Sequence, residues 1–212
     1  MNYSNSNSAI FNQYLKAAKE GAKDAQYYLG DCYYSGNGVE QSFIKAVEWW
    51  QKAAEQGFAD AQYNLGVCYA EGSGVEQDYS MAVKLWERAA EKGVPEALCI
   101  LGVCYEKSKG VEQDYYKAVE YYIRAIEKDN VDAQYYLGNC YYEGNGVVKD
   151  YSKAVEWYQK AADGGNAEAQ CNLGICYHTG NGIKQDLSKA AEYFKKAAEQ
   201  GNVEAQRNLE LI

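Results

Sequence analysis

Apolar residues along this chain come in short blocks at helical spacing, and the blocks return with a fixed step. Within residues 22–57, Ala25, Leu29, Cys32 and Tyr33 mark one helix face, and Val47, Trp50, Ala53 and Ala54 mark another. Strand-type alternation is absent, so the pattern predicts pairs of amphipathic helices. Leu-Gly recurs at Leu29-Gly30, Leu65-Gly66, Leu101-Gly102, Leu137-Gly138 and Leu173-Gly174, every step being 36 residues with no insertion. A cysteine follows in the same register at Cys32, Cys68, Cys104, Cys140 and Cys176, and a tyrosine directly after each of them. The second block carries an aromatic at Trp50, Trp86, Tyr122, Tyr158 and Phe194. In-phase self-similarity of this kind identifies a repeat array in which each unit buries its apolar faces against its neighbours.

Five full units are expected at 22–57, 58–93, 94–129, 130–165 and 166–201. Residues 9–21 match the second half of a unit and 202–212 the first half, which gives a single array over 9–212 preceded by a flexible segment, 1–8. The ends of the helices are legible as well. Asn130, Asn166 and Asn202 stand where a side chain can accept from the free N–H groups of a first helix, and Asp78, Asp114, Asp150, Asp186 and Ser42 do so for the second. An acid lies two residues into each first helix (Asp24, Asp60, Glu96, Asp132, Glu168, Glu204), where it complements the helix dipole. Gly57, Gly93, Gly165 and Gly201 are placed for left-handed ends of the second helices; Asp129 stands in that register in the third unit, and a less regular turn is expected there.

Between the two helices runs a loop bracketed by glycines, as in Gly36-Asn37-Gly38, with Ser108-Lys109-Gly110 as the exception. These loops read as tight reversals, since no GxxxxGK[ST] accompanies them. The glycine of each Leu-Gly pair lies mid-helix, where it costs about 0.5–1 kcal/mol relative to alanine. Close approach of a neighbouring helix, with the tyrosine three residues later filling adjacent space, is the expected reason.

The pattern A-x-x-x-L-G-x-x-Y-x-x-G-x-G-V-x-x-D followed by A-x-x-x-W/Y-x-x-A-A-x-x-G resembles the Sel1-like repeat, a relative of the tetratricopeptide repeat with a longer loop. It is seen in Ala61, Leu65, Gly66, Tyr69, Gly72, Gly74, Val75, Asp78, Ala82, Trp86, Ala89, Ala90 and Gly93, and covers about residues 9–209. The resemblance implies an all-α, right-handed α-α solenoid whose first helices line a concave face. It also implies a non-catalytic scaffold or adaptor. A structural or regulatory subunit that uses its edges or convex face is the alternative.

By analogy with tetratricopeptide relatives, the inward positions are Tyr27, Asp31 and Tyr34 in the first unit and Tyr63, Val67 and Ala70 in the second. The third unit gives Cys99, Val103 and Glu106, the fourth Tyr135, Asn139 and Tyr142, and the fifth Cys171, Ile175 and His178. These vary between units while the packing positions do not. Tyr34 and Tyr142 are read as partner-binding; Tyr27, Tyr63 and Tyr135 are equally placed to pack between repeats. The expected partner is a protein segment, with a mild preference for a basic one.

Composition narrows the remaining choices. With 21 Lys and Arg against 30 Asp and Glu, the net charge is −9, and no basic run exists to neutralise nucleic-acid phosphates. No stretch approaches the ~20 apolar residues of a membrane span, and no secretory leader is recognisable at the start. The seven cysteines lack a CxxC, and His178 is the single histidine, so neither a metal nor a cofactor is expected. One cysteine per unit in a fixed register reads as small buried hydrophobes in a reducing, cytoplasmic setting, in a monomer. A cysteine-rich secreted branch of the resembled family, some members of which are described as penicillin-binding with weak β-lactamase activity, pairs cysteines within each repeat. Here the partner register holds Ala54, Ala90, Ile126, Ala162 and Ala198. Ser42-Phe43-Ile44-Lys45 matches S-x-x-K, but both residues fall on registers that the repeat explains, and no enzymatic activity is expected.

Overall fold

The computed structural model describes residues 3–211, and all its regular elements are helices. The chain divides into two compact units, residues 1–112 and 113–212. The first unit contains α1 (Tyr3–Lys19), α2 (Lys23–Ser35), α3 (Phe43–Glu55), α4 (Ala59–Glu71), α5 (Tyr79–Glu91) and α6 (Pro95–Lys107). The second contains α7 (Tyr115–Ile126), α8 (Val131–Glu143), α9 (Tyr151–Asp163), α10 (Ala167–Thr179), α11 (Leu187–Glu199) and α12 (Val203–Leu209). Within each unit every helix packs on the one before it and the one after it, as a stack of helix pairs does. Met1 and Asn2, part of the segment expected to be flexible, lie outside the described residues; from Tyr3 onward that segment belongs to α1. No described helix is long and apolar enough to cross a membrane.

The helix ends follow the sequence. Asn130, Asn166 and Asn202 accept from Ala133, Ala169 and Ala205 N–H, whereas Ala22, Phe58 and Val94 in that register give no side-chain cap. Ser42, Asp78, Asp114, Asp150 and Asp186 cap the second helices. Asp129 takes the same left-handed conformation as its glycine counterparts, with φ 61° against 80° at Gly57 and 83° at Gly93. The expected irregularity is thus a strained residue in a regular turn.

The core is one layer of side chains between paired helices. Leu29, Leu65, Leu101 and Leu173 are wholly buried, as are Ala61, Ala97, Ala133 and Ala169 of the first helices and Ala46, Ala82, Ala118, Ala154 and Ala190 of the second, and Trp50, Trp86, Tyr122, Tyr158 and Phe194 lie among them almost without exposure. The mid-helix glycines exist for these aromatics. A Cβ on Gly66 would lie 2.5 Å from Trp86 Nε1, one on Gly138 would lie 2.6 Å from Tyr158 Cδ1, and one on Gly174 would lie 2.7 Å from Phe194 Cδ1. The close neighbour is therefore the aromatic of the second helix, not the tyrosine three residues along.

The two loop glycines do different work. The first, as at Gly36 or Gly144, ends the helix in the left-handed conformation, and Ser108 manages this with φ 55°. The second is also a contact point between repeats. A Cβ on Gly74, Gly110, Gly146 or Gly182 would strike the backbone of Phe43, Tyr79, Tyr115 or Tyr151 at the start of the preceding second helix. That is why the third repeat dispenses with the first glycine and keeps the second.

Candidate functional site

Glutamines stitch successive pairs together before any surface is presented. Gln26, Gln62 and Gln170 are buried and donate to Ala18, Ala54 and Ala162 carbonyls at the end of the preceding second helix. Buried amides of this kind need partners for both ends. Gln56 and Gln200 supply the second by donating to Gln26 Oε1 at 2.7 Å and Gln170 Oε1 at 2.8 Å. In the second repeat Lys92 occupies that register and donates to Gly57 O, and Gln62 Oε1 is left without a partner.

On this framework the first helices of each unit hold variable residues in cavities. In the first unit a cavity of about 360 Å³ is lined by Asp31, Tyr34 and Ser35 from α2, Trp50 from α3, and Tyr63, Asn64 and Val67 from α4. At its edge Asp31 Oδ1 accepts from the Trp50 indole N–H at 3.1 Å and from Asn64 Nδ2 at 3.5 Å. Tyr34 sits edge-on to Phe43 with ring centroids 5.1 Å apart and tilts over Trp50 at 5.3 Å.

The second unit repeats the arrangement three repeats on. A cavity of about 190 Å³ is lined by Asn139, Tyr142, Glu143, Tyr158, Asn172 and Ile175. Asn139 Oδ1 accepts from the Tyr158 hydroxyl at 2.7 Å and from Asn172 Nδ2 at 3.1 Å. Tyr142 sits edge-on to Tyr151 at 4.9 Å, and its hydroxyl accepts from Asn181 Nδ2. Each residue is the counterpart of one in the first cavity, 108 positions earlier in the sequence.

Where the acceptor is missing, the donor behaves differently. Val67 replaces Asp31 in the second repeat, and the Trp86 indole turns to the Tyr63 carbonyl at 3.2 Å. Ile175 replaces it in the fifth, and there the aromatic is Phe194, which has nothing to donate. Tryptophan thus finds another acceptor when the carboxylate is lost, and in the fifth repeat the donor is gone as well, as expected of half-buried polar groups that must be satisfied.

The inward positions expected from the sequence are distributed as follows. Asp31, Tyr34, Tyr63 and Val67 share the first cavity, and Asn139, Tyr142 and Ile175 the second. His178 is exposed and lines a further cavity of about 220 Å³ with Ile175, Phe194, Glu204 and Asn208. Val103 is half-buried on α6. Tyr27 stacks on Phe58 of the next repeat at 4.7 Å, and Tyr135 packs against Tyr136 and Tyr158, so both serve packing between helices. Cys99 and Cys171 are corrected: both are buried, at 7% and 2% exposure, because a short side chain in the tyrosine register sinks into the core. Trp50, Asn64, Tyr158 and Asn172 were missed. The recurrence of asparagine at Asn64 and Asn172, one repeat after the polar residues Asp31 and Asn139, was the available signal.

Electrostatically the first cavity is acidic. Burial raises the Asp31 carboxyl above the usual range despite hydrogen bonds from Trp50 and Tyr27, and nearby Asp60 raises it further. Burial, with Asp31 and Asp60 adding to it, pushes the Tyr27 hydroxyl up to about 12. All seven cysteines are buried and none is in a disulfide; burial lifts Cys68 and Cys104 to about 11 and Cys171 to about 12, so these thiols stay protonated and unreactive at neutral pH. Ser42 accepts from the Lys45 backbone N–H while the Lys45 ammonium lies over the Tyr33 ring at 5.3 Å, which is a helix cap and a cation–π contact.

Comparison with known proteins gives a consistent result. The family model of the Sel1 repeat matches residues 23–58, 59–94, 95–130, 131–166 and 167–202. A Sel1 repeat protein from Oxalobacter formigenes is 35% identical with a TM-score of 0.88, over 96% of this chain and 86% of that one. The protein c5321, a protective antigen of uropathogenic Escherichia coli with an SLR fold, is 34% identical with a TM-score of 0.71; the match covers 94% of this chain and 50% of that one. A Sel1 repeat protein from Klebsiella pneumoniae is 26% identical with a TM-score of 0.59, over 94% and 97%. No match was found among curated proteins.

Proposed function

The chain belongs to the Sel1 repeat family, whose members are generally protein–protein interaction scaffolds, and from that premise we propose that its first-helix cavities bind an extended segment of a partner protein. One observation carries the proposal. The same cavity, built from corresponding residues, occurs on both units, and its lining varies while the packing registers stay fixed. Tyrosine and tryptophan supply rigid contact area at small entropic cost, which suits them to anchor a bound chain. The role is read as non-catalytic, in keeping with the general use of the family as interaction scaffolds. A cytoplasmic, reducing setting forms part of the same reading, supported by seven buried cysteines outside any disulfide, and so does a monomeric chain.

The test is selection of peptides from a displayed random library on the full chain. Selected peptides should lose at least tenfold in affinity with Tyr34→Ala and Tyr142→Ala. Both rings also pack internally, so Ser35→Arg and Glu143→Arg, which crowd the cavities from exposed positions, should have the same effect with an unchanged melting midpoint. Selected peptides that bind all four variants as tightly as the parent would exclude the cavities as the binding surface.

A further inference from the structure

Asp31 and Asn139 occupy one register and differ by a charge. Each accepts from the aromatic of its own second helix and from an asparagine of the next first helix, so the geometry around the two is alike. The groups that surround Asp31 closely enough to shape its titration are Trp50, Tyr27, Asp60 and Asn64, none of them cationic. A half-buried carboxylate held only by neutral donors and facing a second acid is undercompensated. Beside it the cavity offers aromatic faces on Tyr34 and Trp50 and a volume of about 360 Å³, at the small end of the range for ligand sites and roomy for one long side chain.

Building on the proposed binding of a partner segment, we propose that the Asp31 cavity receives an arginine side chain of that segment, while the Asn139 cavity receives a neutral one. A planar guanidinium presents in-plane N–H donors to the carboxylate and stacks by its face on the rings, which a compact ammonium does less well. The −9 net charge of the chain favours approach of a cationic segment, and the cavity gives that attraction a defined endpoint.

The inference is read at the Trp50 indole N–H, which points at Asp31. N-acetyl-arginine amide, titrated into the full chain and followed by NMR, should shift this resonance saturably, and uncharged N-acetyl-citrulline amide should bind at least tenfold more weakly. Asp31→Asn should reduce that contrast to about onefold without unfolding the chain, because Asn139 shows that an amide fits the register. The Trp157 indole, whose ring lies under Lys160, reports non-specific attraction to the acidic surface and should not move. Equal binding of the two probes, a contrast that survives Asp31→Asn, or a Trp157 shift matching that of Trp50 would each overturn the assignment. If library peptides depend on Tyr34 and Tyr142 while the arginine contrast is absent, the cavities still bind a segment and only the cation is wrong. If the peptides ignore the cavities and the contrast is also absent, both readings fall.

Discussion

Gly66 lies against the indole edge of Trp86 so closely that a Cβ in its place would sit 2.5 Å from Nε1. That contact decides the sign of a substitution which helix propensity alone gets wrong. Alanine in mid-helix is favoured over glycine by about 0.5–1 kcal/mol. Against this, Trp86 is 2% exposed and donates to the Tyr63 carbonyl, so it has no room to retreat without breaking a hydrogen bond. Overpacking of a well-filled core costs about 1–3 kcal/mol. Gly66→Ala is therefore expected to be destabilising by about 1–2 kcal/mol, read as a lower urea midpoint; a midpoint at or above that of the parent would mean the contact is soft.

Much of the fold was legible because its determinants are local and repeated. Spacing gives the helices, Asn and Asp give their starts, and glycine gives their ends. What spans repeats was harder to see. Asn64 reaches Asp31 across 33 residues and Asn172 reaches Asn139 in the same way, and neither pairing follows from any one unit read alone. The burial of Cys99 and Cys171 was hidden for a different reason: their register is partly exposed when tyrosine fills it and closed when a small side chain does.

The third repeat carries two residues in a conformation that suits glycine. Ser108 has φ 55° and Asp129 has φ 61°, where the other repeats place glycine at both registers. A left-handed conformation costs a non-glycine residue about 1–2 kcal/mol, partly offset because glycine loses more freedom on folding. Ser108→Gly and Asp129→Gly are each expected to raise stability by about 0.5–1 kcal/mol, additively. Gly110→Ala in the same loop is expected to be strongly destabilising, since its Cβ would meet the Tyr79 carbonyl. Thermal midpoints of the three variants check the contrast.

Lys92 stands where Gln56 and Gln200 complete the buried amides of other repeats. Gln56 Nε2 donates to both the Gly21 carbonyl and Gln26 Oε1, whereas Lys92 reaches only the Gly57 carbonyl. Lys92→Gln is expected to satisfy Gln62 Oε1 and raise stability by about 1 kcal/mol, the usual size of a hydrogen bond regained at a buried group. The reverse change, Gln200→Lys, should orphan Gln170 Oε1 and cost a similar amount. Chemical denaturation of both variants tests the pair, and the opposite signs distinguish this from a general effect of surface charge.

Asp31 should give the chain a pH dependence opposite to that of most paired carboxylates. Its folded-state pKa is raised, chiefly by burial, so the folded form binds a proton more readily than the unfolded one. Ionised Asp31 therefore weakens the fold at neutral pH, and its contribution becomes more favourable as pH falls through the folded-state pKa toward the ordinary carboxylate value of about 4. Asparagine keeps the acceptor for Trp50 and Asn64 and removes the charge, as Asn139 does in the fourth repeat. Asp31→Asn is thus expected to melt higher than the parent at pH 7, with the gap narrowing as the pH falls toward the ordinary carboxylate value of about 4. A variant that melts lower at pH 7, or a gap that widens on acidification, would show that Asp31 is held by a favourable charge interaction, and the acidic cavity would then already be compensated.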